Sequence, residues 1–309
     1  MAFSSSPPLL NLLLLTTLIV SAQQQTVLPS CDVELLQLAL NFQFLEAEFF
    51  LYSSLGYGLD TVAPDLAKGG PSPIGVKKAY LDRLVRDIMV QFGYQEIGHL
   101  RTVMQAAGGG FPRPLIDLSS TQFSRVMDAA FGTTLQPPFD PYANSLNFLL
   151  ASYIIPYVGL TGLVGSAQIF NSTTTHKIAA GLMAIESGQD AAIRTLLYQR
   201  SLQRVFPYRF TVGVATDRIS RLRNSLGRAG VKDSGLLARK NRTGGHSMGE
   251  IVVWGPDSLA YARTPMELLR IFYGTGNESL PGGFFPVGVR GTIGQALLPG
   301  SDVNTTCLL

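Results

Sequence analysis

Acidic and imidazole side chains occur at helical spacing within apolar stretches of this chain, where they could bind a metal ion. Glu96 and His99 lie three residues apart, so both side chains project from one face of a helix and can bind the same ion. Glu46 lies in the apolar run 42–51, and Glu186 lies in a second apolar segment. A carboxylate buried among such residues needs a partner, and a metal ion is one. The four residues therefore predict a metal site, with a hydrogen-bonded polar cluster as the alternative.

Four long helices must position these residues. Runs dense in Leu, Ala and Phe, and the Gly and Pro residues around them, predict where the helices lie. The predicted ranges are 32–55, 75–107, 142–170 and 175–203. A proline-containing region at 111–141, with one short amphipathic segment, separates the second helix from the third. This order predicts an all-α core, a ferritin-like four-helix bundle with a long crossover between helices 2 and 3.

A change of composition after the fourth helix indicates where the bundle ends. The prediction divides the chain into a signal peptide at 1–22, the bundle at 23–205 and a C-terminal extension at 206–309. The extension is rich in Gly and Pro and is expected to pack on the bundle.

Short elements are predicted within this extension. One helix is predicted at 210–226, and Thr264 with Glu267 three residues later indicates the start of another. A short strand is predicted at 250–254, and loops or short strands at 281–299.

The first segment of the chain indicates export. An apolar run at 9–20 is followed by small residues at the positions that signal peptidase requires, so the mature protein is predicted to begin at Gln23. The run is too short to span a bilayer. A buried core helix is the alternative. We therefore expect a secreted protein.

Glycosylation and cysteine patterns agree with export. Four Asn-x-Ser/Thr triplets fit the acceptor pattern for N-glycans, at Asn171, Asn241, Asn277 and Asn304. The chain has two cysteines, Cys31 and Cys307, which could close the mature chain by a disulfide in an oxidising compartment. Two free thiols are the alternative.

Composition and motifs argue against several other classes. The formal net charge is +3, from 24 basic and 21 acidic residues without a dense basic block, so no nucleic-acid partner is expected. No second apolar run was expected to span a membrane. The sequence also lacks a nucleophile elbow, a phosphate-binding loop followed by Lys-Ser/Thr, and a zinc-protease motif.

Several of these motifs together resemble the ferritin-like desiccation-related proteins of plants. They are residues 40–50, the Glu96/His99 pair, residues 157–162 and residues 186–191. The resemblance covers most of the mature chain. It implies a ferritin-like bundle, export to the apoplast or cell wall, and an association with dehydration tolerance.

The resemblance also implies a set of metal ligands. In ferritin-like proteins with two iron or manganese ions, two helices each supply a Glu and the other two each supply a Glu-x-x-His pair. Glu46 corresponds to the first Glu. Glu48 is the less suitable choice, because its side chain points about 160° away from that of Glu46 around the helix. Glu96 and His99 correspond to the first pair, and Glu186 to the Glu of the second.

Two of the expected ligands are missing. The helix-three ligand aligns with Pro156, and Gln189 stands in place of the second histidine. His176 lies about 15 Å from Glu186 along the same helix, which is too far for it to replace the missing histidine at position 189. We therefore expect one weakly held iron or manganese ion or none, and no appreciable ferroxidase activity.

Three functions remain open at this point, of which the first fits the sequence best. The first is a non-enzymatic, protective stress protein, a role that follows from the family resemblance. The second is a metal-binding or redox protein that holds one iron or manganese ion and limits oxidative damage. The third is an interaction module whose extension contacts a cell-wall or glycan partner. The sequence leaves the oligomeric state open.

Overall fold

The computed structural model describes residues 28–237, 239–240, 246–247 and 250–307. The predicted signal peptide and the Asn241 acceptor site lie outside these ranges. Within them the helices are α1 Ser30–Leu55, α2 Leu59–Val62, α3 Pro64–Ala67, α4 Arg83–Ala106, α5 Ser120–Phe131, α6 Ser145–Ile154, α7 Pro156–Ala167, α8 Thr173–Tyr198, α9 Val212–Gly227, α10 Pro265–Phe272 and α11 Thr292–Ala296. Two short strands, β1 Arg239–Lys240 and β2 His246–Ser247, pair in antiparallel register.

The four-helix core is confirmed. Helix α1 packs along α4, and α7 packs along α8, while α5 lies in the long crossover between α4 and α6. Buried Leu and Phe side chains of α1 form the centre of the core, where Phe49 stacks on Phe148 with a centroid distance of 4.7 Å. Such aromatic pairs stabilise the packing beyond the area that they bury.

Helix α4 begins later than the sequence predicted. The prediction placed its start near residue 75, but residues 76–82 are not helical and the helix starts at Arg83. The side chain of Asp82 accepts a hydrogen bond from the backbone N–H of Val85 at 3.0 Å. This N-cap satisfies a free amide of the first turn and therefore sets the start of the helix.

The third predicted helix is broken into α6 and α7. The break lies at Ile155, directly before Pro156, which occupies the first turn of α7. Proline lacks a backbone N–H and disfavours helical geometry at the preceding residue, so a single helix cannot continue through it. The two halves remain adjacent in the bundle.

The stretch Ser145–Ala167 is long and apolar enough to cross a membrane, which the sequence-based expectation overlooked. Of its most apolar window, 89% is buried inside the protein. Such burial is what the core helix of a bundle shows. The expectation that the chain has no membrane span stays a prediction.

A buried arginine ties the crossover to α1. Arg113 is fully buried and forms an ion pair with Glu48 of α1. Its guanidinium also donates to both carboxylate oxygens of Asp60 at 2.9 Å and to the backbone carbonyl of Pro71 at 2.7 Å. Glu48 is therefore committed to a structural ion pair and does not face the predicted metal site.

Replacing Arg113 by Met should destabilise the protein by about 3–5 kcal/mol, because the substitution leaves Glu48 buried without its partner. Urea unfolding monitored by circular dichroism measures the change. Arg101→Met, at an exposed position of α4, is the matched control. A loss for Arg113→Met no larger than that of the control would contradict this role.

The two ends of the fold are joined at the start of α1. Cys31 and Cys307 form a disulfide with a Cα–Cα distance of 5.2 Å, which confirms the predicted pairing. Next to it, Asp32 accepts hydrogen bonds from the backbone N–H groups of Asn171 and Ser172, each at 2.9 Å, and from the Thr175 hydroxyl. Asp32 thus holds the N-terminus of α8 against α1.

Burial alone would raise the pKa of the Asp32 carboxyl, but the hydrogen bonds from Thr175, Asn171 and Ser172 outweigh it and lower the pKa below its usual range. A lowered pKa in the folded state stabilises the fold where the carboxyl is ionised. The stabilisation is therefore complete above about pH 4, the usual pKa of an aspartate, and is lost as the pH falls through the lower folded value.

Asp32→Ala should therefore lower the free energy of unfolding by about 1–3 kcal/mol at neutral pH, because three donors lose their acceptor. The difference from the wild type should shrink below about pH 4. Denaturant unfolding at a series of pH values tests this, with the exposed Asp87→Ala as control. If the difference in the free energy of unfolding between the wild type and Asp32→Ala grew toward low pH, this role of Asp32 would be contradicted.

The extension differs in part from its prediction. Helices α9 and α10 are confirmed, and Thr264 and Glu267 form a capping box at the start of α10. The strand predicted at 250–254 is wrong. The backbone carbonyls of Glu250 and Ile251 instead accept hydrogen bonds from the buried guanidinium of Arg194, at 2.6 and 2.7 Å. In the 281–299 region, the short helix α11 replaces the expected loops or strands in part.

Candidate metal centre

Three helices of the bundle direct polar side chains to one point in its interior. Helix α1 supplies Glu46, α4 supplies Glu96 and His99, and α8 supplies Glu186. The three carboxylates are at most 1% exposed and His99 is 8% exposed. The structure thus buries all four residues that the sequence singled out.

Three of these side chains form a group with the geometry of a metal site. The His99 Nδ1 atom lies 3.1 Å from an oxygen of Glu96 and 3.5 Å from an oxygen of Glu186. Ligand atoms of the three residues all lie within 4.8 Å of one another. A single ion can therefore contact all three. The i,i+3 spacing of Glu96 and His99 thus places both side chains on one face of α4, as the sequence predicted.

Two glutamine side chains hold the carboxylates in place. The Gln43 amide donates to Oε1 of Glu186 at 2.8 Å, and the Gln189 amide donates to Oε1 of Glu96 at 2.8 Å. Gln189 also donates to the side chain of Gln95 at 3.0 Å. The residue that replaces the expected histidine thus orients another ligand. Gln43 was missed by the sequence analysis, although its position three residues before Glu46 places both on one face of α1.

Several oxygen atoms of this group lack a hydrogen-bond donor among the residues that the structure describes. They are both carboxylate oxygens of Glu46, Oε2 of Glu186, and the amide oxygens Oε1 of Gln43 and Gln189. Buried polar atoms are normally paired, and each unpaired one costs free energy. With the carboxylates ionised, every orphaned atom of the group is an acceptor, which a cation, a donor-rich molecule or a proton held on Glu46 would satisfy.

The electrostatics of the group favour a cation. Burial, followed by repulsion from Glu186 and Glu96, raises the pKa of the Glu46 carboxyl well above its usual range. Burial and Glu186 likewise raise the pKa of Glu96 to about 7, although His99 and Gln189 oppose this. Burial alone would lower the pKa of His99, but its bonds to Glu186 and Glu96 raise it to about 10. Without a metal, a protonated His99 therefore supplies part of the missing positive charge.

The α7 residue that lies against Glu46 is Gly159, and the alignment of the helix-three ligand with Pro156 stays a prediction. Pro156 starts α7, whereas a Cβ atom at Gly159 would lie 3.1 Å from Oε1 of Glu46. Glu46 therefore lies directly against the backbone of α7, where the helix has no side chain. A missing side chain leaves no ligand pattern, so spacing alone could not identify this position.

The remaining candidates lie elsewhere. His176 is exposed at the start of α8, where its ring contacts the backbone carbonyl of Ser172 at 2.9 Å. The side chain of His246 lies outside the described part of the chain. Asn171, Asn277 and Asn304 are exposed, as N-glycan acceptors must be, and their glycosylation stays a prediction.

The donor set fits one divalent metal ion. Carboxylate and imidazole ligands suit iron and manganese, and an ion beside Glu46 and Glu186 would satisfy their orphaned oxygens. Glu96, His99 and Glu186 would hold it, with Glu46 as the adjacent carboxylate. A second ion would lack ligands from α7 and from position 189, where Gly159 and Gln189 stand.

This all-α bundle with a carboxylate–histidine group at its centre defines a ferritin-like protein. A family model described as a ferritin-like domain matches residues 31–199, and the chain belongs to that family. It is 49% identical over 268 residues to the ferritin-like catalase Nec2 of Nesocodon mauritianus, with 86% of each chain covered. It is also 50% identical over 260 residues to the desiccation-related protein PCC13-62 of Craterostigma plantagineum, covering 84% of this chain and 83% of the relative. The predicted resemblance is confirmed. No solved structure matches the chain.

The substitution Glu46→Gln should stabilise the metal-free protein and weaken its metal binding. The neutral amide removes repulsion from Glu186 and Glu96 and adds a donor beside orphaned acceptors, a gain of about 1–3 kcal/mol. Thermal unfolding after dialysis against a chelator measures the first effect, and titration with Mn²⁺ the second. Glu278→Gln, in a partly exposed ion pair with Arg270, is the control. Destabilisation of the metal-free protein would show that Glu46 has a structural partner.

Proposed function

We propose that this protein binds one iron or manganese ion at the Glu96/His99/Glu186 group and uses it to remove hydrogen peroxide, protecting its surroundings during water loss. The observation that carries this proposal is the set of orphaned acceptor oxygens around the group. A purely structural cluster would be expected to satisfy its own hydrogen bonds. This cluster leaves acceptor oxygens that a bound cation would satisfy.

The relatives support the reaction and its setting. One relative is named a ferritin-like catalase and the other a desiccation-related protein, and both are about equally similar to this chain. Removal of peroxide is a protective activity that reconciles these two names. The disulfide suggests an oxidising compartment, and we infer that the protein acts outside the cell, in the apoplast or cell wall.

The bound ion would supply a redox centre that accepts and returns electrons, so that two molecules of hydrogen peroxide yield two of water and one of oxygen. The residues of the chain position the reactants. Gln43 and Gln189 hold Glu186 and Glu96 through hydrogen bonds of 2.8 Å. The free oxygens of Glu46 can accept hydrogen bonds from the O–H groups of peroxide and so orient it. The apolar bundle around them excludes bulk water.

A non-enzymatic protective role is the second candidate. Hydrogen bonds already link Gln43 to Glu186 and Gln189 to Glu96, and a protonated His99 lies between the two carboxylates. These contacts stabilise the group in part without a metal. Contact of the extension with a cell-wall or glycan partner stays a prediction.

Metal analysis of protein purified without chelator separates the two candidates. We expect about one iron or manganese ion per chain, and loss of this metal in Glu96→Ala and His99→Ala. Oxygen release from added hydrogen peroxide should fall with the metal by at least about a hundredfold, since even loss of an outer partner costs up to that factor. The exposed His176→Ala is the matched control and should keep both metal and activity.

Ferrous iron oxidation is measured on the same samples. It should not exceed a protein-free blank, because Gly159 and Gln189 leave the second iron short of ligands. Absence of bound metal, or peroxide removal that survives Glu96→Ala, would contradict the proposed function and favour the non-enzymatic role.

A further inference from the structure

A narrow cavity lies between α1 and α7, and two of the residues that line it contact the metal group, which consists of Glu46, Glu96, His99 and Glu186. The volume of the cavity is about 10 Å³, which is enough for one water molecule. Small residues of α7 leave it open, and a leucine of α10 covers its outer side. The residues that define it are Phe42, Gln43, Gly159, Gly162, Leu163 and Leu268.

The inner end of the cavity is in contact with the metal group through two residues. Gln43 lines the cavity and donates to Glu186 at 2.8 Å. Gly159 also lines it, and its backbone lies close enough to Glu46 that a Cβ atom there would be 3.1 Å from the carboxylate. A molecule at this end is therefore separated from the group only by residues that touch its carboxylates.

The chemistry of this end selects its occupant. Gln43 is 3% exposed, and its Oε1 atom has no donor among the described residues. The neighbouring Glu46 oxygens have none either. All are acceptors, so the occupant must donate hydrogen bonds. The smallest molecules with two donating O–H groups are water and hydrogen peroxide, whereas an organic hydroperoxide has one O–H group and a bulky carbon skeleton.

We propose that hydrogen peroxide and water reach the metal group through this α1–α7 cavity, and that Gly159, Gly162 and Leu268 restrict entry to molecules of that size. This inference rests on the proposed function. It adds the route of entry and the residues that exclude larger peroxides.

Variants that narrow or widen the cavity test the route. In Gly162→Ala the new methyl carbon would lie 2.5 Å from Leu268 Cδ1, so it narrows the cavity away from the metal ligands. Gly159→Ala blocks the inner end. Leu268→Ala widens the outer end. Gly181→Ala is the matched control, because a Cβ atom there, on α8, meets nothing within 4 Å.

The first readout is independent of turnover. Each variant is loaded with Mn²⁺, its metal affinity is measured, and the relaxation rate of water protons reports the exchange of water at the ion. Gly162→Ala should bind Mn²⁺ like the wild type and exchange water more slowly. Its rate constant with hydrogen peroxide should fall about tenfold, equivalent to about 1.4 kcal/mol in the barrier. Gly159→Ala should show the same decrease or a larger one.

The second readout uses tert-butyl hydroperoxide, which the wild type should consume much more slowly than hydrogen peroxide. Leu268→Ala should raise its rate about tenfold relative to hydrogen peroxide. Suppose that Gly162→Ala and Leu268→Ala bind Mn²⁺ and keep the water exchange and peroxide selectivity of the Gly181→Ala control. Entry is then by another path, and the inference is overturned. The proposed function would remain intact. If the wild type binds no metal, both fail.

Discussion

Three carboxylates and one imidazole lie together in the apolar interior of this bundle, where their charge must be compensated by bound protons or by a cation. Glu46, Glu96 and Glu186 repel one another, and burial strengthens that repulsion because little water screens it. Without a metal, a protonated His99 and a proton on Glu46, whose pKa is raised, offset this charge. Gln43 and Gln189 donate hydrogen bonds to two of these carboxylates. Helix α7 approaches the third, Glu46, closely at Gly159.

A second polar layer lies beyond this group, where α8 meets the extension. Asp190 follows Glu186 by one turn, and burial raises its pKa to about 6 although Arg194 and Arg223 oppose this. Arg194, Arg223 and Arg263 all lie within 5.7 Å of the centre of the Tyr157 ring. Arg194 of α8 therefore meets Arg223 and Arg263 of the extension around one ring, with the buried carboxylates of Asp190 and Asp233 beside them.

The sequence was most informative where a ligand is present and least where one is absent. Glu96 and His99 could be predicted as a pair, because the spacing of a helix alone brings them to one face. Glu46 could be separated from Glu48 for the same reason, and the structure gives Glu48 to Arg113. Gly159 could not be identified, since a position without a side chain is defined only by what lies against it. The strand at 250–254 failed because a buried guanidinium on a distant helix takes the carbonyls that a neighbouring strand would need.

The bond between Cys31 and Cys307 joins residues that are 276 positions apart. Almost the whole described polypeptide is thus a covalent circle, with the bundle and the extension on the same loop of chain. A single cut by a protease in any exposed turn of that loop would open the circle but release no fragment. Both sides of the cut would stay tethered and could repack in place.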